Sequence, residues 1–172
     1  MSIDNFRQLA GYNHWANRRI YAAALALPQE QYRRQTGVFF GSLHGTLNHL
    51  LLTDCVWLRR LTGEGEHPNR LDAILFEDHH ELARARMAED ARLTRVIGGY
   101  CETDLAEAVS YQTMSGVPRR QVLGEILLHL FNHQTHHRGH AHASCSIVTG
   151  KEPPSLDLLQ FQRGVPAPEL PD

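Results

Sequence analysis

Four long segments of this chain place apolar residues at the three- and four-residue spacing of an amphipathic helix. The segments cover about residues 4–27, 42–61, 76–97 and 118–144. Because connections of mixed length join them, they predict an all-α fold, an antiparallel four-helix bundle. A weakly alternating stretch over residues 108–114 predicts a short extended segment before the last long helix.

Residues near the ends of these segments indicate where the helices begin and stop. Asp4 can cap the first helix, and Pro118 suits the first turn of the last one. Gly63 can end the second helix in the left-handed conformation that favours glycine. The third segment carries many charged residues, including Arg86 and Asp90, and its charged face is predicted to be solvated.

The length of the chain, 172 residues, suits one domain with a full hydrophobic core. We predict a single helical domain over residues 1–164 and a Pro-rich, poorly ordered tail over residues 165–172. The formal net charge of −2 gives no indication of a surface for nucleic acid. No apolar run approaches the roughly 20 residues of a membrane span, so a membrane is not an expected partner either.

The cysteines and the amino terminus bear on location. Cys55, Cys101 and Cys145 are odd in number and far apart, which is typical of reduced thiols and not of a disulfide framework. The first residues lack the apolar stretch of a signal peptide. Together these features predict a cytoplasmic protein.

Half of the twelve histidines lie in one run that extends from His129 to His142. His133 and His137 are four residues apart, so on a helix their side chains lie one turn apart on the same face. On a helical wheel both continue the apolar stripe of the last helix, while Arg138 points away from its centre. Two neutral imidazoles in this arrangement can bind one metal ion. The alternative is a pair of core histidines whose rings are satisfied by hydrogen bonds.

A metal site needs at least a third ligand from another segment. The second helix offers His44 and His49, and the wheel does not decide whether His49 points inward. Asp54 lies on the apolar face of the same helix, where an unpaired carboxylate is costly. This carboxylate is therefore either a part of the metal site or one half of an ion pair.

Three motifs in the chain resemble the DinB (damage-inducible, YfiT-like) family. They lie in the first, second and fourth long helices and read YNHWAN over residues 12–17, GTLNHLL over 45–51 and NHQTHHRG over 132–139. Each motif is weak alone, but three in the right order at the right separations are specific. The resemblance covers about residues 5–160, which is nearly the whole chain.

The resemblance implies a four-helix bundle, often dimeric, in which three histidines hold a divalent metal ion. At the matching positions these are His49, His133 and His137, so the resemblance selects His49 over His44. The family often has glutamine where His140 stands here, so His140 either adds a ligand or alters the open side of the site. Imidazole ligation suits nickel or zinc, and iron or copper are also compatible.

The same resemblance implies a metal-dependent enzyme that transfers a low-molecular-weight thiol to an electrophilic small molecule. Its expected partners are that thiol, that electrophile and a second copy of the chain in a homodimer. No catalytic base can be assigned from the residues. Two alternatives remain open, a metal-dependent hydrolase and a non-enzymatic metal-binding or stress-response protein.

Overall fold

The computed structural model describes residues 1–170, and most of them lie in helices. The elements in chain order are α1 (Ile3–Leu25), α2 (Gln29–Arg33), α3 (Leu43–Thr62), α4 (His79–Gly99), a 3-10 turn (Thr103–Ala106), β1 (Ala108–Gln112), β2 (Pro118–Val122), α5 (Leu123–Thr149) and α6 (Leu158–Gln162). The four long helices predicted by the apolar spacing are α1, α3, α4 and α5, and the mostly helical fold is confirmed. Within the described residues, no helix has the length and apolar character needed to cross a membrane.

The four long helices surround a common core. α1 packs against α4 and α5, and α3 packs against the same two helices. The apolar stripes meet in the interior, where the side chains of Ile20, Leu47, Leu58 and Leu127 have no exposed surface. Each such side chain stabilises the fold by roughly 1.5–3 kcal/mol relative to an exposed one.

Ser2, and not Asp4, caps the amino terminus of α1. The Ser2 hydroxyl accepts a hydrogen bond from the backbone N–H of Asn5, and the Asn5 side chain accepts one from the Ser2 N–H at 2.9 Å. This reciprocal pair satisfies two donors that the first turn would otherwise leave free. Asp4 instead forms an ion pair with Arg7 at 2.9 Å. The prediction for Gly63 is confirmed, since it ends α3 with φ 77°.

A small antiparallel sheet corrects the predicted start of the last helix. β1 confirms the extended segment, but Pro118 lies in β2, where it pairs with Gln112, and α5 begins only at Leu123. The turn before β2 contains Gly116 at φ 79° and folds residues 118–122 back onto β1. Proline is tolerated there because it is the first residue of its strand. The chain is therefore mostly helical with one two-stranded sheet.

A buried ion pair lies where α3 and α4 meet. Arg86 of α4 has no exposed surface, and its NH1 and NH2 atoms lie 2.8 Å from Asp54 Oδ2 and 2.9 Å from Asp90 Oδ1. The prediction of a solvated face was wrong for Arg86 and Asp90. These charges can be buried because each has an opposite charge in contact with it.

Polar side chains of α5 join the same buried network, and Arg138 points into it and not away from the core. Arg138 donates to the side-chain oxygens of Asn13 and Asn17 on α1, and both amide groups donate in turn to Asp90. Gln134 donates to Asp54 and to the Leu50 carbonyl of α3. Gln134 and Arg138 directly follow His133 and His137, so the network fixes the position of the histidine-bearing turns of α5.

The described part of the carboxyl-terminal tail lies along α1. Trp15 Nε1 donates to the Val165 carbonyl at 2.7 Å, and Arg18 Nε donates to the Pro168 carbonyl at 2.8 Å. These contacts differ from the poorly ordered tail that its prolines predicted, because α1 supplies donors for its carbonyl groups. The domain boundary between residues 164 and 165 stays a prediction, and residues 171–172 of the predicted tail lie outside the described residues.

Candidate metal centre

Three histidines from two helices meet beside the buried network. One ring nitrogen from each of His49, His133 and His137 lies within 4.8 Å of the others. His49 comes from α3, and the other two lie one turn apart on α5, with ring centroids 4.4 Å from each other. The Nε2 atoms of His49 and His133 are 3.3 Å apart. The structure therefore brings together the three side chains to which the sequence assigned a metal.

The ring of His49 is held on two sides. Its Nδ1 atom lies 2.8 Å from the carbonyl oxygen of Leu71, so Nδ1 carries the proton and donates it. This tautomer leaves a lone pair on Nε2, the atom that faces His133. The Phe40 ring stacks on the imidazole with centroids 3.7 Å apart and an angle of 20°. His49 is therefore oriented to offer Nε2 to the group.

The three imidazoles are neutral at ordinary pH. Burial lowers the pKa of His133 to about 3 and that of His137 to about 4, and the neighbouring histidines lower both further. Burial also lowers the pKa of His49 from its usual value. Neutral imidazole is the form that binds metal ions, so protons compete weakly for these nitrogens.

The triad lines a cleft of about 660 Å³ that also has Phe39 and Phe40 on its wall. Among the described residues that line this cleft, the only carboxylate is Asp72, which forms an ion pair with Arg70 at 2.8 Å. The cleft therefore offers three neutral nitrogen ligands and an apolar wall, with no unpaired acid or base of the carboxylate type.

His140 belongs to a second histidine group at the same cleft. Ring nitrogens of His136, His137 and His140 lie within 4.8 Å of one another, and the rings of His136 and His140 are 4.5 Å apart. His137 is common to both groups. His140 thus lies at the mouth of the cleft and is not a member of the group that contains His49 and His133.

The other two candidates from α3 lie apart from the triad. His44 is buried with its ring 5.1 Å from that of Tyr32, and its Nε2 lies 3.7 Å from Glu77. Asp54 is the partner of Arg86, which confirms the ion-pair interpretation of this residue. Of the described residues, neither belongs to a histidine group.

Two contributors to the site were not predicted. Phe40 lies in the loop before α3, and the apolar pair that it forms with Phe39 was the available signal for it. Leu71 contributes through its backbone carbonyl, in the connection between α3 and α4. Every residue has a carbonyl, so nothing in the sequence could single out this one.

Comparisons with known proteins agree with the motifs. The DinB family model matches residues 1–169. Protein DinB of Bacillus subtilis (strain 168) is 28% identical over 137 residues, which cover 77% of this chain and 79% of that protein. A DinB-like protein of known crystal structure, from Bacillus cereus ATCC 10987, superposes with a TM-score of 0.56 at 16% identity, over 91% of each chain. At this identity the structural likeness concerns the fold alone.

Proposed function

The chain belongs to the DinB family, and on that basis we propose that it is a metal-dependent enzyme that transfers a low-molecular-weight thiol to an electrophilic small molecule. In this proposal the four long helices form the antiparallel four-helix bundle of the family. His49, His133 and His137 hold one divalent ion, nickel or zinc, with iron or copper as further candidates.

The observation that carries the proposal is the convergence of three neutral imidazole nitrogens within 4.8 Å. His49 has its Nδ1 proton committed to Leu71, so its Nε2 presents a lone pair toward the Nε2 of His133 only 3.3 Å away. A cation among these atoms would satisfy the lone pairs that converge there. Two further features fit this role, since a carbonyl holds one ligand in its metal-binding tautomer and burial keeps all three unprotonated.

Three neutral ligands leave the charge of a divalent ion uncompensated and one position open, where the ion would lower the pKa of a bound thiol. The thiolate sulfur then bonds to the electrophilic carbon, the leaving group departs with the electron pair, and the thiol proton passes to solvent. Phe40 limits the access of water to the triad, and the tie between His49 and Leu71 keeps the ligands in place while the reactants exchange.

The surroundings of the triad favour thiol transfer over hydrolysis. Hydrolytic sites commonly use a carboxylate to accept a proton from water, as the glutamate of HExxH proteases does. The one carboxylate among the described residues of this cleft, Asp72, is already paired with Arg70. A thiol needs no such base, because its pKa lies far closer to neutral than that of water.

Elemental analysis and a thiol-consumption assay on untagged protein test the proposal. We expect about one equivalent of divalent metal and metal-dependent disappearance of thiol with 1-chloro-2,4-dinitrobenzene as the model electrophile. His133→Ala should lose both, whereas His142→Ala, a change in the same run but outside both histidine groups, should lose neither. Full turnover by His133→Ala would contradict the mechanism.

Two other results of this experiment would point to the alternatives. Ester cleavage that requires the metal but no thiol would identify a hydrolase. Bound metal without activity on a range of thiols and esters would identify a non-enzymatic metal-binding protein.

We also propose that the protein is a homodimer. The family resemblance supports this assembly, and α5 presents Leu128, which is 51% exposed, as an apolar contact for a second copy. Light scattering after size exclusion should give twice the chain mass of 19.5 kDa. A single species at the chain mass across the micromolar range would contradict the dimer.

A further inference from the structure

A second cleft of about 470 Å³ adjoins the triad. It shares Leu71 and His133 with the first cleft, so these two residues form the boundary between them. The opposite wall consists of Thr113, Met114 and Ser115, which connect β1 to β2. A molecule in this second cleft therefore has one end in contact with a residue of the triad.

Arg60 of α3 is the only residue with a formal charge among the described residues that line this second cleft. Within the described chain, no carboxylate lies within 4.0 Å of its guanidinium, in contrast to Arg33, Arg70 and Arg92, which form ion pairs. Partial burial lowers the pKa of Arg60 from its usual value, which indicates a cation held partly out of water without a counter-ion.

Two aromatic rings hold the Arg60 guanidinium in place. Its Cζ atom lies 4.6 Å from the centre of the Trp57 ring and 4.9 Å from that of Tyr111. Such cation–π contacts orient the planar group but do not use its five N–H donors. A fixed guanidinium with free donors is suited to a bidentate contact with a carboxylate.

A continuous aromatic wall leads from Arg60 to the triad. The Trp57 ring lies 5.3 Å from that of His129, and His129 lies 5.8 Å from His133. The reactant whose sulfur is at the triad is the one that can also extend along this wall. The electrophile can approach from the other side, past Phe39 and Phe40.

We propose that the second cleft binds a carboxylate of the thiol substrate, with Arg60 as the residue that recognises it. A carboxylate is favoured over a phosphate because one guanidinium matches a single negative charge, and the other described polar groups of the cleft wall are neutral hydroxyls and His129. The assignment of the carboxylate to the thiol rests on the proposed function. The binding of a carboxylate by Arg60 does not.

Tryptophan fluorescence of metal-free protein tests the binding step by itself. Succinate is titrated at constant pH and ionic strength, with neutral succinamide as the matched probe and inorganic phosphate as the competing anion. A Trp15→Phe background assigns the signal to Trp57, because the chain has only these two tryptophans. We expect a saturable change with succinate, none with succinamide, and weaker binding of phosphate.

Variants at two adjacent arginines make this test specific. Arg60→Gln should weaken succinate binding by at least about tenfold, as expected for the loss of a charge-assisted contact, and Arg60→Lys should recover part of it. Arg59→Gln is the matched control, since Arg59 is exposed and does not line the second cleft; it should bind normally. No saturable change in the starting protein, or equal losses in the two glutamine variants, would overturn the Arg60 site. Tighter binding of phosphate than of succinate would overturn the choice of carboxylate.

The link to the reaction is tested with two thiols of similar size. With metal-loaded protein, 3-mercaptopropionate should have a KM at least about tenfold lower than that of 2-mercaptoethanol, and Arg60→Gln should remove this preference without changing the neutral thiol. If succinate binds at Arg60 but neither thiol is consumed, the proposed function fails and the carboxylate site stands. If both thiols are consumed with equal KM values, the assignment of the carboxylate to the thiol is wrong.

Discussion

Arg86 of α4 and Asp54 of α3 form an ion pair, 2.8 Å from NH1 to Oδ2, in which both side chains are almost completely buried. The pair lies at the base of the histidine site, because Asp54 also accepts a hydrogen bond from Gln134, the residue after His133. Burial alone would lower the pKa of Arg86, but the carboxylates of Asp90 and Asp54 raise it above its usual value. The guanidinium therefore stays charged and holds α3 and α4 together.

Replacement of Arg86 tests how much this network stabilises the fold. Arg86→Met keeps most of the side-chain volume but leaves two buried carboxylates without their cation, so it should lower the free energy of unfolding by about 3–5 kcal/mol. Urea denaturation measures this loss. Arg84→Met, at an exposed position of the same helix, should change stability by less than about 0.5 kcal/mol. Similar values for the two variants would contradict a stabilising role of the buried pair.

The two carboxylates beside Arg86 differ in their titration. Burial raises the pKa of Asp54 to about 6, with Arg86 offsetting part of the effect. Burial would also raise the pKa of Asp90, but Arg86 and the hydrogen bonds from His14 and Asn17 bring it below its usual value. One guanidinium can compensate one carboxylate, so the second carboxylate keeps its proton to higher pH.

This difference predicts the pH dependence of stability. Between pH 3.8 and about 6 the folded state holds more protons at Asp54 than the unfolded state does, so the stability contributed by this group falls as pH rises through that range. Asp54→Asn cannot lose a proton, so its stability relative to the starting protein should increase from pH 4 to pH 6.5. Urea denaturation of both proteins at each pH gives the comparison, in which the contribution of the histidines cancels. A constant difference would exclude a raised pKa.

Helical spacing was sufficient to predict α1, α3, α4 and α5, because each of them buries a continuous apolar stripe. It failed for Arg86 and Asp90, since a helical wheel classifies residues by polarity and cannot show a partner on another helix. Asp54 is 32 positions before Arg86 in the chain, so their contact depends on the packing of α3 against α4. The start of α5 was misplaced for a related reason, because the pairing of β2 with β1 competes with the helix for residues 118–122.

The histidine site was predictable in part. His133 and His137 follow from local spacing, since residues four apart on a helix share a face. The choice of His49 over His44 needed the family motifs, because both lie on α3 and are buried. The carbonyl of Leu71, which orients His49, and the unpaired Arg60 of the adjoining cleft depend on tertiary contacts that leave no local pattern.

Metal binding should be visible as a gain in thermal stability. Zn²⁺ at 100 times its Kd should stabilise the folded chain by about 2.7 kcal/mol, which corresponds to a rise in Tm of roughly 5–10 °C for a protein of this size. Differential scanning calorimetry of chelator-treated, untagged protein measures the shift. His49→Ala should remove most of it, and His142→Ala should retain it. A shift of equal size in His49→Ala would place the ion elsewhere.

His140 is the residue that departs from the family pattern, and its position at the mouth of the cleft gives a distinct expectation. The group of His49, His133 and His137 is complete without it, so His140→Ala should bind the first equivalent of Zn²⁺ with an affinity within about twofold of the starting protein. His137→Ala should lower that affinity by much more, because His137 belongs to both histidine groups. Competition with a chromogenic chelator measures both variants at one pH. A loss in His140→Ala as large as that in His137→Ala would make His140 a ligand of the central ion and the triad a four-histidine site.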